Sequence, residues 1–101
     1  MTMFNPPHPG EIIAETLDNL DVGIRELSRA LQVAPSTTQR LVSGNASVSP
    51  EMAIKLSAVL GGSAKFWLNL QDNYSLWLVG KKVDTTQLHR LVCFSNHSYV
   101  T

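Results

Sequence analysis

Apolar residues recur three and four positions apart in five stretches of the chain, and residues that begin or end helices separate these stretches. The pattern predicts five α-helices, over about 9–20, 24–31, 35–42, 50–60 and 64–79. A sixth, short helix is predicted from Asp84, which can cap it, through Leu91. No segment alternates between apolar and polar residues as a strand would. We therefore expect an all-α fold, a bundle of five short helices with a short C-terminal helix added.

Five residues give the clearest signals for helix boundaries. Pro9 and Pro35 suit the first turn of a helix, where the missing N–H costs nothing. Ser49, followed by proline and an acid, and Ser63 are typical N-caps. Gly44 suits the position just after a helix ends. The boundaries therefore rest on local chemistry as well as on periodicity.

The second and third predicted helices are joined by about three residues, Gln32–Ala34. Two short helices with so short a link meet at a steep angle, which is the geometry of a helix-turn-helix. In such a motif the second helix enters the major groove of DNA while the first crosses the backbone. The spacing therefore favours DNA binding, although any short helical hairpin shares it.

One face of the third predicted helix is small or polar, as a helix that lies deep in a groove needs. The candidate base-contacting residues on it are Pro35, Ser36, Thr37, Gln39 and Arg40. Gln39 can form two hydrogen bonds to adenine, and Arg40 can do the same with guanine. Arg25 on the preceding helix, and Ser43 and Asn45 after the third, are the candidate phosphate-contacting residues. The alternative is that this face is simply solvated.

Charge and composition limit the classes of protein to which this chain could belong. The chain has 101 residues, is 44% hydrophobic and 16% charged, and has a formal net charge of zero. Charges from 10 to 21 are all negative, whereas from 22 to 48 three arginines oppose one glutamate, a sum of +3 − 1 = +2.

No apolar run approaches the roughly 20 residues that span a bilayer. Residues 1–9 lack the features of a signal peptide, and the single cysteine, Cys93, suits a reducing compartment. We expect one cytoplasmic domain without a cofactor.

The fifth predicted helix has more apolar surface than one core-facing side requires. At 100° per residue its aromatic residues form one broad arc, while further apolar residues lie elsewhere on its surface. The predicted dimer or partner interface is Trp67, Leu68, Leu76, Trp77 and Val79. A homodimer would place two helix-turn-helix motifs on a palindromic site. The alternative is that the sixth helix covers this second apolar face.

Three stretches resemble known families. Residues 27–44, "LSRALQVAPSTTQRLVSG", resemble the helix-turn-helix of the Xre/lambda-repressor family. "HPGEII" at His8–Ile13 and "SPEMAIKLSAVLGGSAKFWLNLQDNYSL" at Ser49–Leu76 are similar to the HigA family of antitoxins. The resemblance covers about residues 8–80.

This resemblance implies a lambda-repressor-like fold, with 1–8 as an N-terminal arm, 9–80 as the DNA-binding domain and 81–101 as a C-terminal helix and tail. It also implies a transcriptional repressor of its own operon, and a HigB-like RNA-cleaving toxin as partner. Two positions depart from the family. Ile24 stands where the family often has a phosphate-binding Gln, and Gln32 stands where it often has Gly.

Other functions find less support in the sequence. His89, Cys93 and His97 recur every four residues and could bind zinc on a continuous helix, but the tail composition disfavours one. Glu11 and Glu15 could form a catalytic pair, but acids in a first helical turn usually interact with the helix dipole. We therefore expect no enzyme. A protein-interaction adaptor that uses the aromatic helix remains the alternative to a DNA-binding protein.

Overall fold

The computed structural model describes residues 5–91, and within this range the chain is helical without strands. The helices are α1 (Pro9–Leu20), α2 (Ile24–Leu31), α3 (Pro35–Val42), α4 (Pro50–Leu60) and α5 (Ala64–Gly80). Each helix begins and ends within one residue of its predicted bounds. The all-α fold with five short helices is therefore confirmed.

The predicted boundary residues act as expected. Ser49 Oγ accepts a hydrogen bond from Met52 N at 3.2 Å, and Ser63 Oγ accepts one from Phe66 N at 3.0 Å. Gly44 follows α3 with φ of 88°, in the left-handed region that glycine tolerates best. Local chemistry thus fixes where α3 ends and where α4 and α5 begin.

The predicted sixth helix, Asp84 to Leu91, was wrong. These residues are irregular apart from a turn at 86–87, and Asp84 Oδ1 accepts hydrogen bonds from Thr86 N at 3.0 Å and from Thr86 Oγ1 at 2.6 Å. An aspartate that bonds the backbone two residues later stabilises a turn in competition with a helix. Leu88 and Leu91 are mostly exposed, so packing within residues 5–91 does not offset the cost of nucleating so short a helix. The predicted tail from 92 to 101 lies outside the described residues.

The core lies where the five helices meet. α1 and α2 each contribute two side chains to the apolar core cluster, and α4 packs closely along α5. The buried apolar residues are Ile13, Leu17, Leu27, Leu31, Leu41, Val48, Ala53, Leu56 and Trp67. Because α3 contributes Leu41 to this core and contacts both α1 and α2, its orientation is fixed by three-helix packing. None of the helices within residues 5–91 is long and apolar enough to cross a membrane.

Trp67 belongs to this core, which corrects its predicted place in an interface. Its side chain is 3% exposed, and its Nε1 donates a hydrogen bond to the carbonyl of Gly61 at 3.0 Å. The indole therefore secures the turn between α4 and α5 rather than offering a surface to another molecule. Phe66, its neighbour, stays 45% exposed and meets the indole edge to face.

Candidate nucleic-acid interface

The turn between α2 and α3 depends on a left-handed residue. Gln32 has φ of 60°, and its N–H donates to Arg29 O at 3.2 Å. The next N–H, that of Val33, donates to Ser28 O at 3.0 Å. A residue with a Cβ pays roughly 1 kcal/mol in this conformation. The chain therefore makes the tight turn of a helix-turn-helix at the position where the sequence departs from the expected glycine.

A buried polar contact joins the two helices of the motif. Ser28 Oγ and Thr38 Oγ1 lie 2.7 Å apart, and the two residues are 1% and 0% exposed. Ser28 Oγ also bonds the carbonyl of Ile24 at 2.8 Å. This pair fixes α3 against α2, and it was not predicted from the sequence. The signal that could have found it is a small hydroxyl residue at a core-facing position of each helix.

The five candidate base-contacting residues lie together on the solvent-facing side of α3. Thr38 and Leu41 point into the protein, whereas all five candidates are exposed. The exposed residues are Pro35, Ser36, Thr37, Gln39 and Arg40. Their side chains are short at the N-terminal end of the helix, and the longer Gln39 and Arg40 follow one turn later. This shape and polarity suit a helix that lies in a major groove.

Arginines flank the start of α3. Arg25 and Arg29, one turn apart on α2, line an open cleft of about 330 Å³ together with Ser28, Val33 and Pro35. Arg25 was predicted from the sequence and Arg29 was not, although the four-residue spacing puts both on one face of the helix. Among residues 5–91, neither of these arginines nor Arg40 has an ion-pair partner. Their guanidinium groups are therefore uncommitted and can meet phosphates.

Ser43 and Asn45 lie just after the C-terminal end of α3. Asn45 N donates to Arg40 O at 2.8 Å, and Asn45 Nδ2 donates to Ser43 Oγ at 3.2 Å. Ser43 Oγ in turn donates to Arg40 O at 3.2 Å. Both side chains are exposed, so these caps leave them within reach of a phosphate. Their role in phosphate binding stays a prediction.

The remaining candidate interface residues differ in exposure. Leu76 is 73% exposed and Val79 49%, whereas Leu68 and Trp77 are half-buried. The Trp77 Nε1 atom is buried and has no hydrogen-bond partner among residues 5–91. Lys81 Nζ lies 4.0 Å from the centre of its ring. An apolar surface therefore remains on the C-terminal half of α5, and its occupant stays a prediction.

The other candidate sites gain no support from the part of the chain that the structure describes. Cys93 and His97, two of the three candidate zinc ligands, lie outside the described residues, and His89 lies in an exposed non-helical segment. Of the two candidate catalytic acids, Glu11 accepts a hydrogen bond from His8 N at 3.2 Å, which is a helix-capping contact. Glu15 is exposed on α1.

Comparison with known proteins points to one class of protein. No family model matches the chain. It is 54% identical over 92 residues to the HTH-type transcriptional regulator YddM of Escherichia coli K12, covering 91% of this chain and 98% of that relative. Antitoxin HigA-1 of Vibrio cholerae O1 is 35% identical over 77 residues, which cover 75% of this chain and 72% of that protein. The solved structure of Pseudomonas aeruginosa antitoxin HigA with the higBA promoter superposes with a TM-score of 0.74 at 36% identity, covering 86% of this chain and 99% of that one.

Proposed function

The chain belongs to the family of HTH-type transcriptional regulators that includes the HigA antitoxins, and from this premise we propose that it represses its own operon as the antitoxin of a toxin–antitoxin pair. The names of two relatives, a transcriptional regulator and an antitoxin, support this proposal. A HigA structure that contains the higBA promoter supports binding to operator DNA. We accordingly expect no catalytic activity from this chain.

The observation that carries the proposal is the exposed polar face of α3 beside uncommitted arginines. In the proposed complex α3 lies in the major groove, where Gln39 and Arg40 read bases through paired hydrogen bonds. Ser36 and Thr37 are short enough to let the start of the helix approach the base edges. Arg25, and with it Arg29, would hold the phosphates on either side of the groove.

Repression follows from where the protein sits. A homodimer presents two copies of α3 about 34 Å apart, which matches two half-sites one helical turn apart on a palindromic operator. Occupying the operator blocks the promoter it overlaps. The apolar C-terminal half of α5, with Leu76 and Val79 exposed, is the surface we propose for the second copy.

The proposed partner is a HigB-like RNA-cleaving toxin, which the antitoxin neutralises by binding it. Support for this part comes from the name of the Vibrio cholerae relative, an antitoxin. The toxin gene would then lie beside that of this chain, and both would share the repressed promoter.

A salt titration of binding to the DNA upstream of its own gene tests the proposal, with scrambled DNA of equal length as the control. We expect tight binding that the scrambled DNA does not reproduce. Equal binding to both DNAs would exclude autorepression and favour the adaptor alternative.

Arg40→Ala provides the matched test at the level of one residue. It should weaken operator binding by about 5- to 150-fold and relax the preference at one base pair, as the loss of a paired guanine contact does. Lys65→Ala, which removes one exposed positive charge from α5 rather than from the helix-turn-helix, is the control and should leave the base preference unchanged.

A further inference from the structure

The segment before α1 forms an unusual helix cap. His8 is only 5% exposed, and its Nδ1 accepts a hydrogen bond from Gly10 N at 2.9 Å. Glu11 completes a capping box, because its Oε2 accepts from His8 N at 3.2 Å. A serine or aspartate would satisfy the same N–H with a smaller side chain. The imidazole ring must therefore do something besides capping.

The ring of His8 reaches two further parts of the fold. It meets the ring of Tyr74 on α5 edge to face, with centroids 4.9 Å apart. Because Nδ1 accepts a hydrogen bond, the neutral ring carries its proton on Nε2. The ring lines one cleft together with Tyr74 and Ala46, and the backbone of Ala46 acts to raise the pKa of the imidazole. Ala46 lies in the loop directly after α3. The His8 side chain thus connects α1, α5 and the loop that follows α3.

Gly10 brings α1 against the end of the same helix. A Cβ at Gly10 would lie 2.3 Å from Leu41 O and 2.7 Å from Val42 O. No flexible side chain could move aside there, because both clashing atoms belong to the backbone of α3. The positive N-terminal end of α1 therefore touches the negative C-terminal end of α3, a favourable arrangement of helix dipoles. The contact is possible only because residue 10 has no side chain.

We propose that His8, Gly10 and Glu11 form a clamp that positions the C-terminal end of α3 and the following loop for DNA recognition. This inference rests on the proposed DNA-binding function. The clamp residues are positioning residues and do not touch DNA themselves. They act through Arg40, Ser43 and Asn45, which lie in the last turn of α3 and just beyond it. A shift of this turn would move the Arg40 guanidinium away from its base.

His8→Asn separates the clamp from the cap. Asparagine keeps an acceptor for the Gly10 N–H and is among the best N-cap residues, but it cannot reach Tyr74 and Ala46. Helical content by circular dichroism should stay at the wild-type level. Operator affinity should fall by about fivefold or more, the loss of a single base contact. Wild-type affinity in a folded His8→Asn protein would overturn the proposal.

The pH profile gives a readout that a purely structural role would not move. Protonation of His8 places a proton on Nδ1 and removes the acceptor for Gly10 N–H. The titratable groups that face the ring are Glu11 from α1 and Tyr74 from α5, and the loop Asn45–Val48 carries none. Operator affinity of the wild type should be full above pH 6.5 and fall as the pH drops through the lowered pKa of His8, while that of His8→Asn should stay flat. Parallel profiles for the two proteins would contradict the proposal.

Gly10→Ala tests the close approach, with Gly80→Ala as the matched control because no atom of the described residues lies within 4 Å of a Cβ at that position. We expect Gly10→Ala to lower the melting temperature and the operator affinity, and Gly80→Ala to lower neither. Wild-type stability and affinity in Gly10→Ala would show that α1 does not hold α3. Should Gly10→Ala fail to fold, the His8→Asn results decide the matter.

Amide hydrogen exchange without DNA separates failure of the clamp from failure of the proposed function. Asn45 N–H bonds Arg40 O and Ser43 N–H bonds Gln39 O, so both report on the end of α3. Their exchange should accelerate several-fold in His8→Asn, while amides in the middle of α5 stay unchanged. Unchanged exchange at both amides overturns the clamp whether or not the wild type binds DNA. A wild type without operator binding overturns the proposed function alone.

Discussion

The buried contact between Ser28 and Thr38 gives the sharpest test of how the helix-turn-helix is held together. Ser28 Oγ lies 2.7 Å from Thr38 Oγ1 and 2.8 Å from Ile24 O, but a serine has a single hydroxyl hydrogen. Both contacts are satisfied when Ser28 donates to Ile24 O and Thr38 donates to Ser28. Removing Thr38 therefore leaves Ser28 bonded, whereas removing Ser28 leaves the buried Thr38 hydroxyl without this partner.

The two single variants should consequently differ. Thr38→Val loses one hydrogen bond and should lower the free energy of unfolding by about 0.5–1.5 kcal/mol. Ser28→Ala leaves a buried hydroxyl unsatisfied and should cost about 1–3 kcal/mol. The double variant removes both polar groups, so its cost should be smaller than the sum of the two, with a coupling of about 0.5–3 kcal/mol.

Urea unfolding of the four proteins at one fixed protein concentration measures this cycle, because the proposed dimer would make stability depend on concentration. A loss of 1 kcal/mol should also lower the melting temperature by roughly 4–8 °C in a chain of this size. Additive costs, or a larger cost for Thr38→Val than for Ser28→Ala, would refute the assignment of donor and acceptor. Operator affinity, measured in parallel, should fall in both single variants because the contact sets the angle of α3.

Three further variants probe single features of the fold. Gln32→Gly relieves the strain of the left-handed conformation at φ of 60°. The free energy of unfolding, measured in urea, should rise by roughly 0.5–1 kcal/mol. A loss of stability would show that Gln32 is not strained in this conformation. Gln71→Met removes the buried oxygen that accepts a hydrogen bond from Val48 N at 2.9 Å. The free energy of unfolding should fall by about 1–3 kcal/mol. An unchanged free energy would show that another group satisfies the Val48 N–H. Burial lowers the pKa of His8 below its usual 6.5, against smaller raising effects of Ala46 and Glu11, so the fold favours the neutral ring. Stability should be full above pH 6.5 and decline as pH falls through the lowered pKa, and urea titrations of His8→Asn should lack this part of the decline.

Helix boundaries were predictable because the signals that set them are local. A serine that caps, a proline in a first turn, or a glycine just past an end acts within four residues of itself. Ser49 and Gly44 therefore work in the fold as their sequence positions suggest. Asp84 shows the limit of this reasoning, since the same side chain can cap a helix or stabilise a turn. Packing decides between the two, and among the described residues Leu88 stays 69% exposed.

Contacts between distant segments were not predictable from the pattern. Phe66 and Trp67 are adjacent and belong to one apolar arc, yet the fold buries the second and exposes much of the first. What distinguishes them is a carbonyl at Gly61, which accepts the indole N–H. The "HPGEII" motif that begins at His8 resembles a family, but its role in the fold could not be explained from the sequence. The groups that surround the His8 ring, Tyr74 and Ala46, lie far along the chain.

The neutral net charge of the chain is compatible with DNA binding because its charges are segregated. α1 carries acids without a basic residue in its last turn, whereas Arg25 and Arg29 lie together beside the start of α3.

Each phosphate contact contributes about 0.9 to the slope of log affinity against log salt. If both arginines bind phosphate in each protomer of a dimer, Arg29→Ala removes two contacts and should make the slope shallower by about 2. A titration of operator binding between 50 and 200 mM salt, about a fourfold range, measures this, with Lys65→Ala as the control of unchanged slope. An unchanged slope for Arg29→Ala would mean that this arginine faces solvent in the complex and that Arg25 alone anchors α2.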